Sequence, residues 1–177
     1  ANINGKIVEE YVEIAKRIDN ISEIEMIELN ISCPNVKDGG MAFGANPEMT
    51  RIVTKEVRKV TKKPLMVKLS PNVTNIVEIA KIVEEEKADA ISMINTLLGM
   101  SIDINTKKPV LGNIYGGLSG PAIKPIALRM IHQVSQAVSI PILGMGGIFN
   151  VEDAIEFFLA GASVISIGTA FFSDPLI

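Results

Sequence analysis

Residues 140–169, IPILGMGGIFNVEDAIEFFLAGASVISIGT, decide the fold. Two apolar runs, 140–145 and 162–167, flank a segment, 151–158, whose apolar residues recur at helical spacing. Nearly continuous apolar strands are typical of parallel sheets, which are buried on both faces, and the intervening helix supplies the crossover. We therefore predict a parallel β-α-β unit at this end of the chain.

The same alternation extends back to the first residues. Three further apolar runs have strand character, and residues 1–3 could be the tail of another strand. These runs are residues 25–31, 65–69 and 88–94. Four further segments have helical spacing: residues 8–18, 49–60, 73–83 and 123–138. Two connections are long: the glycine-rich residues 32–46, and residues 97–120, which have the look of a β-hairpin or another excursion.

This pattern is compatible with an open doubly wound sheet or a closed (β/α)8 TIM barrel. Polar residues and glycines follow successive strands, which favours the barrel, whose active site gathers at the carboxyl ends of its strands. A barrel needs eight strands and about 250 residues. We therefore expect one α/β domain over residues 1–177, an N-terminally truncated barrel with about six of its eight strands.

Composition excludes several classes of protein. The 177 residues are 47% hydrophobic with a net charge of −3, and no basic stripe suggests a nucleic-acid partner. No apolar run approaches the roughly 20 residues that cross a bilayer. A single cysteine allows no internal disulfide, and the first residues lack a signal-peptide pattern. We expect a soluble, cytoplasmic protein.

The single cysteine, Cys33, lies just beyond a strand, in a glycine-rich segment between two asparagines. It could be a small buried apolar residue or a functional thiol, and its position favours the thiol. The only histidine, His132, lies in a helical segment away from the strand ends, where a surface position is expected. Without a Cys-His pair, a general base is favoured over a nucleophile.

Lys68 interrupts an apolar strand, and Asn30 and Asn95 end two others. The lysine could extend to solvent, but its ammonium could also stabilise negative charge on a cofactor or substrate. The asparagines could simply begin turns, or their amides could line a pocket for a planar heterocycle.

Glycines follow the last two strands, at Gly146-Gly147 and at Gly168-Thr169. Glycine is common in turns, but it also lets backbone N–H groups approach an anion. Barrels usually bind phosphate after strands seven and eight, so the missing strands are expected to be the early ones.

Together these residues resemble the dihydroorotate dehydrogenase family over the whole chain. The resemblance is carried by NISCPNVK (30–37), VKLSPN (67–72), INT (94–96), GGLSGP (116–121) and GMGGI (144–148). Cys33 stands where the membrane-bound branch has serine, which indicates the soluble cysteine class. Residues 36–40 with Phe43-Gly44 are similar to the NAD-linked bacterial branch, the class 1B catalytic subunit.

The resemblance implies FMN-dependent oxidation of dihydroorotate to orotate in pyrimidine biosynthesis. Cys33 would remove a proton from C5 while hydride passes from C6 to the flavin, and no metal site is implied. The implied substrate contacts are Asn30, Asn35, Asn95 and Thr96. The implied FMN contacts are Asn2, Asn30, Lys68, Ile94, Gly120, Gly146, Gly147, Gly168 and Thr169.

The resemblance also implies partners. A separate subunit would carry FAD and a 2Fe–2S cluster and would pass electrons to NAD. The single cysteine of this chain cannot hold such a cluster, which is consistent with a separate subunit. Two barrels would form a homodimer within a heterotetramer. We expect the 177 residues alone to bind FMN poorly and to turn over no substrate.

Three other interpretations stay open. A dihydropyrimidine dehydrogenase module shares the barrel and the Asn-x-Ser-Cys-Pro motif, although residues 34–37 are more similar to the orotate type. A non-catalytic barrel that binds a flavin or a phosphate ligand is a second alternative. A purely structural barrel fragment is the third.

Overall fold

The computed structural model describes residues 1–33 and 41–176. In chain order its strands are β1 (Asn2–Ile3), β2 (Ile27–Asn30), β3 (Leu65–Lys68), β4 (Ala90–Met93), β5 (Leu97–Met100), β6 (Ile102–Asp103), β7 (Lys108–Pro109), β8 (Tyr115–Leu118), β9 (Ile142–Met145) and β10 (Val164–Ser166). Its helices are α1 (Val8–Asp19), α2 (Met41–Gly44), α3 (Pro47–Arg58), α4 (Ile76–Glu85), α5 (Lys124–Ser135), α6 (Val151–Leu159) and α7 (Ala170–Ser173). A 3-10 turn, Pro121–Ile123, precedes α5.

Six of these strands form one parallel sheet in the order β1-β2-β3-β4-β9-β10. The order never reverses along the chain, whereas a doubly wound sheet has a reversal point. Right-handed crossovers in an unreversed sheet place all helices on one face. In agreement, α1, α3, α4, α5 and α6 pack side by side in chain order. The predicted parallel α/β architecture is confirmed, and the doubly wound alternative is excluded.

The core lies between this helical layer and the sheet. In β2 and β3, alternate residues face the helices and are fully buried, as Leu29 and its neighbour Val67 on β3 illustrate. Tyr11 of α1, Val53 of α3 and Ile131 of α5 are buried against them. At roughly 1.5–3 kcal/mol for each fully buried large apolar side chain, this layer supplies most of the driving force for folding.

The opposite face of the sheet is half-exposed and carries both polar and apolar side chains. Asn2, on one edge strand, and Ser166, on the other, line a single cavity of about 320 Å³ together with Glu28 and Lys68. The outer strands of a flat six-stranded sheet would lie about 24 Å apart at the usual strand spacing. The sheet is therefore strongly curved, with this face on the inside. In the described part of the chain, β1 and β10 do not pair with each other, so closure of a barrel is not shown.

Asparagine caps explain where the structure departs from the predicted helix boundaries. The side chains of Asn46, Asn75 and Asn150 accept hydrogen bonds from the first-turn N–H groups of α3, α4 and α6. The helix predicted for 49–60 consequently begins at Pro47, and the one predicted for 73–83 begins only at Ile76, because an N-cap residue lies outside the helix.

The long connection between β4 and α5 contains two antiparallel ribbons, β5 with β8 and β6 with β7, which confirms the predicted hairpin. The other long connection, residues 32–46, contains the short helix α2. Neither α2 nor the short helix α7 near the end of the chain was predicted from the sequence. No helix in the described part of the chain is long and apolar enough to cross a membrane.

Candidate active site

A cavity of about 250 Å³ opens at the carboxyl ends of the strands. Because the strands are parallel, the segments that follow them meet at this edge of the sheet. Most of the residues predicted to bind a cofactor or substrate line this cavity: Lys68, Ile94, Asn95, Thr96, Gly120, Gly146, Gly147, Gly168 and Thr169. The structure therefore brings together residues that are up to 101 positions apart in sequence, from Lys68 to Thr169.

Lys68 is the last residue of β3, and its half-buried side chain lines both this cavity and the inner cavity of the sheet. Within residues 1–33 and 41–176, no hydrogen bond or ion pair engages its ammonium group. A partly desolvated cation is costly without a partner. The group is thus suited to an electron-rich or anionic ligand in the cavity.

The amides of Asn30 and Asn95 are joined through Ser32. The Oδ1 atom of Asn30 accepts from the Ser32 backbone N–H at 3.2 Å and from its Oγ at 2.7 Å. Asn95 donates from Nδ2 to the same Oγ at 2.8 Å. Ser32 is fully buried, so water does not compete for these bonds. The tips of β2 and β4 are therefore connected by a continuous side-chain network.

Sequence reasoning missed Ser32. The signal that could have found it is its spacing, because residues i and i+2 of an extended segment point to the same side. Ser32 is two residues beyond Asn30, and its side chain therefore lies beside that of Asn30.

Asn72, in the loop after β3, is hydrogen-bonded to the segment that joins β4 to β5 and to β5 itself. Its Nδ2 donates to the carbonyl oxygen of Thr96 at 3.0 Å, and its Oδ1 accepts from the N–H of Leu98 at 2.8 Å. The first residues of the β5–β8 ribbon are thus fixed against the strand ends. Asn72 ends the motif VKLSPN, but the sequence alone did not predict this role for it.

The turn after β9 requires glycine. Gly146 and Gly147 have φ angles of 120° and 86°, which side-chain-bearing residues rarely adopt. A Cβ atom on Gly147 would also lie 2.9 Å from the carbonyl oxygen of Gly120 and 2.9 Å from the backbone nitrogen of Lys124. The turn therefore packs tightly against the start of α5 and presents bare backbone to the cavity.

An ion pair supports this turn from behind. Asp153 of α6 accepts from Lys124 Nζ at 2.6 Å and from the backbone N–H of Phe149 at 2.8 Å. The hydrogen bond from Lys124 holds the pKa of the Asp153 carboxyl below its ordinary value. In turn, the pKa of Lys124 is raised, mainly by its hydrogen bond to Asp153 and to a smaller extent by its hydrogen bond to Glu156. The loop from β9 to α6 is consequently tied to both flanking helices.

A sequence profile of the family described as dihydroorotate dehydrogenase matches residues 1–177. The chain belongs to the dihydroorotate dehydrogenase family. The family predicted from the motifs is therefore confirmed.

Curated relatives agree with this assignment. The chain is 61% identical over its whole length to a protein of Bacillus cytotoxicus, 63% to one of Geobacillus sp. and 60% to one of Bacillus mycoides. Each is named dihydroorotate dehydrogenase B (NAD(+)), catalytic subunit. The chain spans 57%, 56% and 57% of the length of these three relatives.

Four further residues were predicted to belong to the site: Asn2, Asn30, Cys33 and Asn35. Cys33 is half-buried and follows Ser32 directly, and Asn30 donates to Asn2 Oδ1 at 3.3 Å. None of Asn2, Asn30 and Cys33 is among the residues that line the 250 Å³ cavity. Asn35 lies outside the described residues. His132 is exposed on α5, as predicted.

No group of three or more His, Cys, Asp or Glu side chains that could hold a metal ion occurs in the described ranges.

Proposed function

We propose that the full-length protein oxidises dihydroorotate to orotate with FMN as the first electron acceptor. The observation that carries the proposal is the cavity at the strand ends, where the Asn95 amide and a glycine turn meet the Lys68 ammonium, which no residue of the described ranges engages. The names of the relatives supply the reaction, because each is called a dihydroorotate dehydrogenase.

The residues of the cavity fit FMN. The bare backbone of Gly146 and Gly147, with Gly120, would hold the phosphate, and Gly168-Thr169 would close the cradle from β10. Lys68 would place its positive charge beside the ring, where negative charge develops on reduction. Ile94 would contact the ring, and Asn2 would contact it from β1. When bound, FMN supplies the hydride acceptor that the chain's own residues lack.

Cys33 is the proposed base. Dihydroorotate loses a proton from C5 and a hydride from C6, and the electron pair of the C5–H bond becomes the new C5–C6 double bond. The Cys33 thiolate would take the proton, since no other thiol exists in the chain and the only histidine lies exposed on α5. Asn30, Asn35, Asn95 and Thr96 would hold the substrate ring in place during this step.

The same proposal includes the architecture around the site. We propose that the curved sheet is part of a closed (β/α)8 barrel forming a single domain, supported by its unreversed strand order and its inner cavity. The 177 residues are expected to retain little FMN and to be inactive by themselves, since β1 and β10 each leave one edge unpaired in the described structure.

Electrons are proposed to leave through a partner. The relatives' names contain the words catalytic subunit and NAD(+), which supports a second subunit in those proteins. We propose that this subunit carries FAD and a 2Fe–2S cluster, and that two barrels pair within a heterotetramer.

A substrate panel tests the proposed function. The purified full-length protein would be given dihydroorotate or dihydrouracil with an artificial electron acceptor, and orotate or uracil would be measured chromatographically. Orotate formation that is lost in Cys33→Ser supports the proposal. Oxidation of dihydrouracil alone would favour the dihydropyrimidine dehydrogenase type, and no oxidation of either would favour a binding module.

A further inference from the structure

We infer that Ser32 is a positioning residue that fixes which atoms of Asn30 and Asn95 face the substrate. The inference rests on the proposed function, because it concerns the same site. Ser32 is fully buried and contacts both amides, at 2.7 Å from Asn30 Oδ1 and 2.8 Å from Asn95 Nδ2.

The orientation of Asn30 follows from a group that can only donate. The backbone N–H of Ser32 points at the Asn30 amide at 3.2 Å, so the atom facing it must be the oxygen. Ser32 Oγ lies 2.7 Å from that oxygen. Two oxygens at this distance share a proton, and the serine hydroxyl is the one that carries it.

The orientation of Asn95 follows in turn. A serine hydroxyl has one proton, and Ser32 gives it to Asn30, so toward Asn95 it can only accept. Asn95 must therefore present Nδ2 to Ser32. Independently, the backbone N–H of Thr96 lies 2.7 Å from the other end of the Asn95 amide and requires an oxygen there. Both constraints give the same orientation.

This arrangement determines which amide groups remain available to a ligand. Both amide oxygens already accept hydrogen bonds within the protein, at Asn30 from Ser32 and at Asn95 from Thr96. Ser32 uses one of the two N–H groups of Asn95 and neither of the two of Asn30, which donates only at a long 3.3 Å to Asn2. The pair therefore offers donors, which suit the carbonyl or carboxylate oxygens of a substrate rather than its N–H groups.

The test is a double-mutant cycle in the full-length protein. Ser32→Ala removes the acceptor that holds Asn95, so the Michaelis constant for dihydroorotate should rise about tenfold, equivalent to one lost hydrogen bond. The kcat should change less, and flavin content should stay at the wild-type level. In Ser32→Ala the backbone N–H of residue 32 still holds Asn30 Oδ1, so the loss of the hydroxyl acts chiefly through Asn95. Ser32→Ala combined with Asn95→Ala should therefore raise the constant no more than Asn95→Ala alone.

Ser135→Ala is the matched control. Ser135 also bridges two elements, from α5 to the carbonyl oxygen of Ala160 at 3.0 Å, but it lies away from the strand ends. Its loss should leave the Michaelis constant unchanged. If Ser32→Ala does not fold, Ser32→Cys carries the same prediction, since a thiol fills the position but accepts hydrogen bonds only weakly.

The outcomes separate the two claims. A wild-type protein that does not oxidise dihydroorotate would refute the proposed function. If the wild type is active, a wild-type Michaelis constant in Ser32→Ala or Ser32→Cys would overturn the role of Ser32 alone. Additive effects of the Ser32 and Asn95 substitutions would overturn it as well.

Discussion

Single side chains at the strand ends determine what the site can do. In the proposed function, Cys33 would provide a base, Lys68 a positive charge, and the amides of Asn30 and Asn95 hydrogen-bond donors. The sequence alone predicted a role for all four, because a polar or thiol residue at the end of an apolar strand is unusual. Sequence did not identify Ser32 or Asn72, because their roles depend on which strand tips are neighbours. That information resides in the register of the sheet.

Replacing Cys33 by serine tests the proposed base. A serine hydroxyl is a much weaker base than a thiolate, so the rate of dihydroorotate oxidation should fall by roughly 100-fold or more. Flavin should stay bound, because Cys33 is not among the residues that line the 250 Å³ cavity. Steady-state turnover and the visible absorption spectrum measure the two effects. Near-normal turnover in Cys33→Ser would refute the assignment.

Replacing Lys68 by methionine tests the electrostatic role. Methionine keeps much of the side-chain length but removes the charge, and the rate of flavin reduction should fall roughly 100-fold. The matched control is Lys81→Met, which removes a charge from an exposed position on α4. Rapid mixing without oxygen, followed at the flavin absorption band, gives both rates. Equal rates in the two variants would contradict the role of Lys68.

At the scale of elements, the loop between β9 and α6 lines the cavity on one side and is anchored to the helical layer on the other. Its glycine turn faces the cavity, while Asp153 ties the loop to α5 through Lys124. The helical and strand periods of the sequence predicted these two elements within a few residues. The asparagine caps that set the helix starts, and the four-residue helices α2 and α7, were beyond what the apolar period resolves.

Gly147→Ala should disrupt the turn. The positive φ is strained for alanine by about 1–3 kcal/mol, and the added Cβ would meet Gly120 and Lys124 at 2.9 Å. We expect a lower unfolding free energy and at least tenfold weaker FMN binding. Gly112→Ala is the control, because no atom of the described residues lies within 4 Å of its Cβ position. Unchanged FMN titrations for Gly147→Ala would argue against a phosphate site here.

Asp153→Asn should change how stability depends on pH. The pKa of Asp153 in the folded protein is below its ordinary value of 3.8, chiefly because Lys124 donates to it. Its stabilising contribution is therefore fully present above that ordinary value and is lost as the pH falls through the lower, folded-state pKa.

Denaturant unfolding of the wild type and Asp153→Asn at several pH values measures this dependence. The difference in unfolding free energy should be largest near neutral pH and should shrink below pH 3.8. Glu152→Gln, the same charge change at an exposed position of α6, should show little difference at any pH. A difference for Asp153→Asn that does not vary with pH would contradict the ion-pair account.

At the scale of the whole molecule, the curvature of the sheet brings β1 and β10 to the same inner cavity. Sequence predicted the parallel strands and their helical cover from local periodicity. It could not establish curvature or closure, because these depend on strand tilt and on contacts between distant residues. Local periodicity also cannot predict binding partners, because these are recognised by the surface of the folded protein.

The extent of the chain gives a further prediction. The 177 residues span 57% of the Bacillus cytotoxicus relative, and two strand edges are unpaired in the described structure. Expressed by itself, this chain should self-associate and hold much less FMN than the full-length protein. Size-exclusion chromatography with absorption detection measures both properties. A monomer with full flavin content would contradict this expectation.

The central claim is that a flavin in the strand-end cavity receives electrons from dihydroorotate. Its most direct test is to mix the flavin-loaded full-length protein with dihydroorotate in the absence of oxygen and follow the flavin's visible absorption. We predict that the band bleaches in the wild type and that one orotate forms for each flavin reduced. A band that persists with excess dihydroorotate, in a protein shown to contain FMN, would contradict the account.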